Sequence, residues 1–575
     1  MGSASVKQAM PGYGSSPASK QSSNAAKQVL LRRVLEIVPT ATVWLIITAP
    51  VWGAILAPAA LGFGMLLFSI YWLWKSTIFA AGVGIGFWRL QRAEQRDWLA
   101  AARQQPGFDD IHHLVIVPTC GEGEEILADT LRYLTQQDMP LARVSVVLAF
   151  EERDTMAPAR AQVLAARFGS LFEHFLITFH PDLPGEVKGK SSNLTWAAHR
   201  VQSELIASGK LDPENVLVTV CDADSRLHRG YLSALSNDVL AHPHGRLHIF
   251  QPAILFYANH WRLIAPLRAL NSIYSLWELA RMVPSHRLVT QSTYSLSWSA
   301  VEEVGFWDVD VIPEDSHMCF KVMFHFGRRV KVRPIFLPVY ADAAEGPTLG
   351  RTFSNQYHQI LRWAWGVSDI PYVVLGALRA RDLGWHMRIM RVVWYVEEHL
   401  MWPSHWFLLT LGGLVPAMIN PEYARSAFGL WQSGLISAIM TLCFPCLLLV
   451  ILVDWRLRPE HPDGEDIVDI LIGWASFALL PIVGLVLCAV PALESHTRLL
   501  LGRRLEYRVT EKVPVQARFR GQRGAAMRFL PELRPQVAER LRRTRFDQLP
   551  QYRAYAPGST TAVTDSVLLV YRDLR

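Results

Sequence analysis

Val216-Leu-Val-Thr-Val-Cys221-Asp222-Ala-Asp224 is a run of apolar and β-branched residues that ends directly on two carboxylates. Such a run with no charged break reads as a strand buried on both faces, the kind found in parallel sheets. Residues two apart on an extended chain point to the same side. Asp222 and Asp224 therefore project together from the carboxyl end of the strand, the edge where ligands of open α/β sheets gather. Taken alone, two aspartates at a strand end are most often an acidic turn. Their neighbours give them weight.

Outward from this strand the pattern repeats. Leu114-Val-Ile-Val-Pro118 is a short buried strand followed by a helical stretch from Glu122 to Gln137, and Val144-Ser-Val-Val-Leu-Ala-Phe150 is another strand. Strand and helix signals alternate from Asp109 to Trp363, which predicts an α/β domain with a mostly parallel sheet covered on both faces. Before the paired aspartates, Gly185-Glu-Val-Lys188-Gly-Lys190-Ser-Ser-Asn193 sets two cations and an amide at the mouth of a helix. That is a natural phosphate site, with a solvated basic turn as the plain alternative. Beyond them, Pro313-Glu314-Asp315 opens an apolar helical stretch, a place where an aspartate serves well as a plain helix N-cap. Gln359-Ile-Leu-Arg362-Trp363 follows on an aromatic helix.

This domain is embedded between apolar blocks. The chain has 575 residues, 51% hydrophobic and 19% charged, with 20 Trp, a balance that excludes disordered and collagen-like classes. Its mean hydropathy of only +0.16 is too low for a protein inside the membrane throughout. Apolar runs at Val34–Leu56 and Leu61–Phe87 are each long enough to span a bilayer core, which needs ~20 residues. Arg32 and Arg33 precede the pair and Arg89, Arg92, Arg96 and Arg103 follow it, so both flanks are expected in the cytoplasm.

Further apolar runs lie at Met401–Ile419, Leu430–Val453 and Ile467–Leu493. Three crossings there would leave the last segment outside. Yet Arg498–Arg575 holds 17 Lys and Arg against 7 Asp and Glu, more than the whole net charge of +7. Because Pro481, Gly484 and Pro491 interrupt the final run, a broken re-entrant hairpin is favoured over a crossing. A basic segment beside a membrane is commoner than a nucleic-acid tail, so membrane lipids are expected partners and nucleic acid is not. The six cysteines are scattered and indicate no disulfide framework.

The order of these motifs, a VPxxxE strand, a Lys…Asn element, DxD, ED and QxxRW between transmembrane helices, resembles the membrane-integrated family 2 glycosyltransferases. Cellulose, chitin and hyaluronan synthases are familiar members. The resemblance extends to Tyr507-Arg-Val509-Thr510-Glu-Lys512, which is similar to a gating loop of that family. It implies a GT-A fold, in which Thr119 and Glu122 line the nucleotide pocket and Lys190 lies near the nucleotide or its phosphates. Glu151 would stand where the family carries a base-contacting Asp.

The resemblance also implies that Asp222 and Asp224 hold a diphosphate through Mg²⁺ or Mn²⁺. It makes Asp315 the general base, and it gives Gln359, Arg362 and Trp363 the leaving diphosphate and the end of the acceptor. Tyr507, Val509, Thr510 and Lys512 would close over bound nucleotide.

The expected organisation is a disordered segment at 1–28, two transmembrane helices at 29–88 and a cytosolic GT-A domain at 109–363. Interfacial helices follow at 364–400, transmembrane helices at 401–497 and a basic cytosolic tail at 498–575. The expected activity is inverting transfer from a nucleotide sugar, a UDP-sugar first, to a growing polysaccharide or oligosaccharide at the cytoplasmic membrane. Transfer of one sugar to a lipid is the alternative. A non-catalytic sugar-nucleotide sensor or transporter is a third reading, disfavoured because a binding module needs no base at Asp315.

Overall fold

The computed structural model describes residues 18–461, 464 and 467–506. The segment 507–512 and nearly all of the basic tail lie outside the described residues.

Eight strands form one sheet: β1 His112–Thr119, β2 Val144–Glu151, β3 His174–His180, β4 Val216–Val220, β5 Arg226–Leu227, β6 Ile249–Leu255, β7 Tyr294–Ser297 and β8 Val332–Tyr340. Their order is β3-β2-β1-β4-β7-β6-β8-β5. The strands β3, β2, β1 and β4 are mutually parallel, as their unbroken apolar runs imply. The other half is mixed. β7 runs antiparallel to β4 and β6, while β6 and β8 are parallel. The chain thus has the expected α/β fold, with its parallel character concentrated in the first half.

Both faces of the sheet are covered. Along β1, Leu114 and Ile116 enter one core, which includes Leu194, Ala197 and Val201 of the helix Lys190–Val201. Val115 and Val117 enter the other, with Leu127, Leu131 and Leu134 of the helix Glu124–Thr135. Strand order reverses at β1, whose neighbours are β2 and β4. The loops after β1 and β4 consequently splay apart there, the usual place for a ligand in an open α/β sheet.

Among the described residues, four helical stretches are long and apolar enough to cross a membrane: Lys27–Leu56, Pro58–Glu94, Ala427–Leu457 and Ile467–Leu500. Their apolar side chains face outward, with Leu45, Leu56 and Leu67 all more than half exposed. Three expectations are corrected. The first helix begins at Ala18, inside the segment read as disordered. The run Met401–Ile419 is not one helix. Its first half ends the long helix Trp385–Leu411, and Gly412-Gly413 separate that from Leu414–Ile419.

The final run is a continuous helical segment to Leu500, not a hairpin. Pro481 and Pro491 each fall in the first turn of a helical piece, after a 3₁₀ turn at Phe477–Leu479 and a π turn at Leu485–Ala489. At such positions proline removes no hydrogen bond that the helix needs. The chain therefore passes two prolines without folding back.

The start of the first helix meets the end of the last. Arg33 donates to the carbonyls of Leu499 (2.8 Å) and Leu500 (2.5 Å), satisfying carbonyls that a helix end leaves unpaired. Thr40 Oγ1 donates to His496 O at 3.2 Å. Arg33 thus lies beside the end of the last described apolar helix.

Candidate active site

The site is built on the carboxyl ends of β1, β2 and β4 and closed by the entry to β7 and the helix Glu314–Phe326. Asp222 follows β4 by two residues. Its Oδ1 lies 2.7 Å from Lys190 Nζ, and its Oδ2 accepts from Ser292 Oγ at 2.5 Å. Asp224 is buried, and its Oδ2 accepts from the backbone N–H of Asp342 at 3.1 Å.

Lys190 is the first residue of the helix Lys190–Val201. It does not sit at a solvated helix mouth. Its ammonium is buried between Asp222 Oδ1 and Glu314 Oε1, each at 2.7 Å, and donates to Ser292 O at 2.9 Å. Burial opposes its charge, but Asp222 and Glu314 outweigh burial and hold its proton well above the ordinary lysine range. Burial pushes the Glu314 carboxyl up to about 7, against the pull of the Lys190 ammonium. Lys188, by contrast, is exposed and paired with Asp182 at 2.5 Å.

Asp315 is not the helix cap. Pro313 holds that position, and Asp315 lies within the first turn, where the helix dipole favours an anion. Its Oδ1 accepts from Ser316 N and its Oδ2 from Ser292 N, both at 2.8 Å. A carboxylate oxygen has two lone pairs, so each retains capacity to accept a substrate hydroxyl. Asp315 is only partly buried.

Below the base lies a polar bridge. His317 Nε2 contacts Asp308 Oδ2 at 2.8 Å, and Nδ1 contacts Asp369 Oδ1 at 3.0 Å. Asp369 ends the 3₁₀ stretch Ala364–Asp369, directly after Trp363. The bridge ties the helix carrying Asp315 to the segment carrying Gln359, Arg362 and Trp363.

Burial opposes the charge on His317, but Asp369 and Asp308 outweigh it and raise the imidazole to about 9. A proton held more tightly in the folded chain stabilises it below the free histidine value of ~6.5, and that contribution is lost as pH rises through about 9. The stability advantage of the native protein over His317→Gln is therefore expected to shrink by about 3 kcal/mol across that window. Thermal unfolding in detergent at a series of pH values measures it. A difference between the two proteins that does not change with pH would reject the bridge.

At the other rim, Thr119 Oγ1 and the N–H of Cys120 both donate to Glu122 Oε2, at 2.8 and 2.7 Å. Gly121 N donates to Asp154 Oδ2 at 2.8 Å, joining the loops after β1 and β2. Glu151 is buried and accepts from Arg153 Nε at 2.6 Å and Nη2 at 3.2 Å. This pair lines a cavity with His180, Asp182, Glu186 and Lys188. Gln359 is buried, and Trp363 packs against Phe256 and Tyr274 with ring centroids 5.5 and 5.7 Å apart. Trp365 is in the core.

The structure thus brings Lys190, Asp222, Glu314 and Asp315 into one cluster and links it through His317 to the stretch after Trp363. Reading the sequence missed Ser292, His317 and Asp369. His317 carried a faint signal, a histidine two residues past the base. Ser292 carried none.

Asp222 and Asp224 are hard oxygen donors suited to Mg²⁺ or Mn²⁺. Among the described residues no group of three or more His, Cys, Asp or Glu comes together as ligands. An ion held by these two carboxylates would take its remaining ligands from substrate phosphates and water, as Mg²⁺ usually does at phosphate sites.

Residues 217–488 match the family model described as "Glycosyl transferase family group 2". No curated protein matches the chain. Among solved structures, a mannosyltransferase from Pyrobaculum calidifontis in complex with GDP-Man and Mn²⁺ is similar at 16% identity and a TM-score of 0.39. That likeness covers 73% of this chain and 99% of that one. S. aureus TarS 1-349 in complex with UDP-GlcNAc is similar at 11% identity and a TM-score of 0.34, covering 70% of this chain and 95% of that one. Neither likeness is close enough to assign a donor.

Proposed function

We propose that the chain is an inverting family 2 glycosyltransferase, on the match of residues 217–488 to that family's model. It transfers a sugar from a nucleotide-sugar donor, a UDP-sugar first, to a growing polysaccharide or oligosaccharide at the cytoplasmic membrane. The observation that carries this reading is the convergence of Asp222 and Asp315 on Ser292. A donor-holding carboxylate and an acceptor base lie one residue apart in the network.

In this reading Thr119, Glu122 and Glu151 bound the nucleotide end, and Asp222 and Asp224 hold the diphosphate. Asp315 accepts the proton of the acceptor hydroxyl as its oxygen bonds to the sugar's anomeric carbon. The bond from that carbon to the diphosphate breaks, and one displacement inverts the centre. Arg362 offers a charge-assisted donor to the departing diphosphate. Gln359 and Trp363 shape the place of the acceptor's end. Asp222 and Asp224 would hold a Mg²⁺ or Mn²⁺, which would supply Lewis-acid stabilisation of the leaving group. Lys190 keeps Asp222 and Glu314 from repelling one another in a buried space.

The contact of Arg33 with Leu499 and Leu500 supports reading the two basic flanks as lying on one side, and the positive-inside bias favours the cytosol for that side. The four membrane-length helices among the described residues are in keeping with that reading.

Purified protein in detergent is expected to release nucleotide from one member of a panel of UDP- and GDP-sugars. No release from any member would overturn the enzyme in favour of a binding module. Product length against time separates polymer from lipid: long chains early support processive synthesis, and a single-sugar glycolipid as sole product rejects it.

A further inference from the structure

Ser292 occupies the left-handed region at φ 57, a conformation that glycine adopts freely and other residues adopt at a cost. Such strain persists only where surrounding contacts over-determine it, and those places cluster at functional sites. Here the contacts are on both sides. Gln291 N donates to Gln251 Oε1 at 2.8 Å, and Thr293 Oγ1 accepts from Asp222 N at 3.3 Å.

The held residue then spends each of its three polar atoms on a different partner. Its Oγ donates to Asp222 Oδ2 at 2.5 Å, its N–H donates to Asp315 Oδ2 at 2.8 Å, and its carbonyl accepts from Lys190 Nζ at 2.9 Å. Asp222 is fixed through both oxygens, one on Lys190 and one on Ser292. A glycine would suit the backbone better. It would leave Asp222 without its hydroxyl.

We infer that Ser292 is a positioning residue that sets the donor-holding carboxylate Asp222 and the base Asp315 at a fixed separation and orientation. Small misplacements of reacting groups cost large factors in rate, and one residue bonded to both carboxylates prevents them from drifting independently. The inference rests on the glycosyltransferase reading and adds to it a residue that no motif marks.

Two variants divide its functions. Ser292→Gly keeps the backbone conformation, hence the N–H to Asp315, and deletes only the hydroxyl. Its thermal midpoint is expected to equal or exceed that of the native protein, while KM for the donor rises roughly ten- to a hundredfold, the loss of one hydrogen bond to a charged group. In Ser292→Gly kcat is expected to fall less than KM rises, because Asp315 keeps its anchor. Ser292→Thr retains the hydroxyl but strains a β-branched residue at positive φ. Its midpoint is expected to fall while KM stays within a few-fold.

The measurements are thermal unfolding in detergent and nucleotide release from UDP-glucose, UDP-GlcNAc and GDP-mannose. Stability and KM moving oppositely in the two variants supports the assignment. A less stable Ser292→Gly with unchanged KM makes Ser292 merely structural and overturns it. So does an active native protein from which Ser292→Gly cannot be told apart. A native protein that releases no nucleotide from any of the three donors instead overturns the glycosyltransferase reading, and this inference with it.

Discussion

Replacing Asp315 by Asn is expected to lower the rate of sugar transfer by roughly 10²–10⁴, the usual contribution of a general base. Donor binding should stay close to native. The geometry makes the substitution a clean one. Asp315 accepts two backbone N–H bonds, from Ser292 and Ser316, and an amide oxygen preserves one of them at the same position. The residue is within the first turn rather than at the cap, so the helix keeps its start. Single-turnover kinetics with saturating donor, together with calorimetric donor binding, separate the two effects. An equal loss in both would turn Asp315 into a ligand or a structural anchor.

The second large effect is expected at the paired carboxylates. Asp222→Asn or Asp224→Asn should abolish transfer supported by Mg²⁺ or Mn²⁺ while the protein remains folded and membrane-inserted. Neutralising Asp222 leaves the buried Lys190 ammonium with Glu314 as its remaining carboxylate partner at 2.7 Å, so the cluster survives even as the diphosphate loses its holder. Asp224→Asn keeps an oxygen for the N–H of Asp342. Chelation by EDTA should reproduce the loss in the native enzyme, and added Mn²⁺ should restore it. Full activity in EDTA would remove the ion from the mechanism and leave Arg362 as the cation that meets the diphosphate.

Much of this arrangement was legible in one dimension because strands buried on both faces announce themselves. β1, β2 and β4 were readable from unbroken apolar runs, and the polar residues that end them became the site. The DxD, ED and QxxRW motifs were legible for a related reason: each is a short local pattern attached to one element. The membrane blocks were harder. Hydropathy marked the apolar runs, but Met401–Ile419 and the proline-bearing Ile467–Leu493 were misread. Whether glycine breaks a helix, or proline sits harmlessly in its first turn, depends on where each local helical piece begins.

Lys190 shows the same limit at the site. Its sequence context, two lysines and an asparagine before a helix, reads as a phosphate cradle. The fold instead buries its ammonium between Asp222 and Glu314, residues 32 and 124 positions away. Ser292 and the His317 bridge are further examples, for their significance consists entirely of partners from other segments.

The sequence by itself determined the α/β class, the strands and the identity of the carboxylates at their ends, because period, length and burial are properties of neighbouring residues. Only the tertiary structure decided which carboxylates share a cation, that a serine at positive φ is bonded to both Asp222 and Asp315, and that the first and last described membrane-length helices meet at their basic ends. Those facts depend on distances between segments far apart in the chain, and such distances are set by packing rather than by any local pattern.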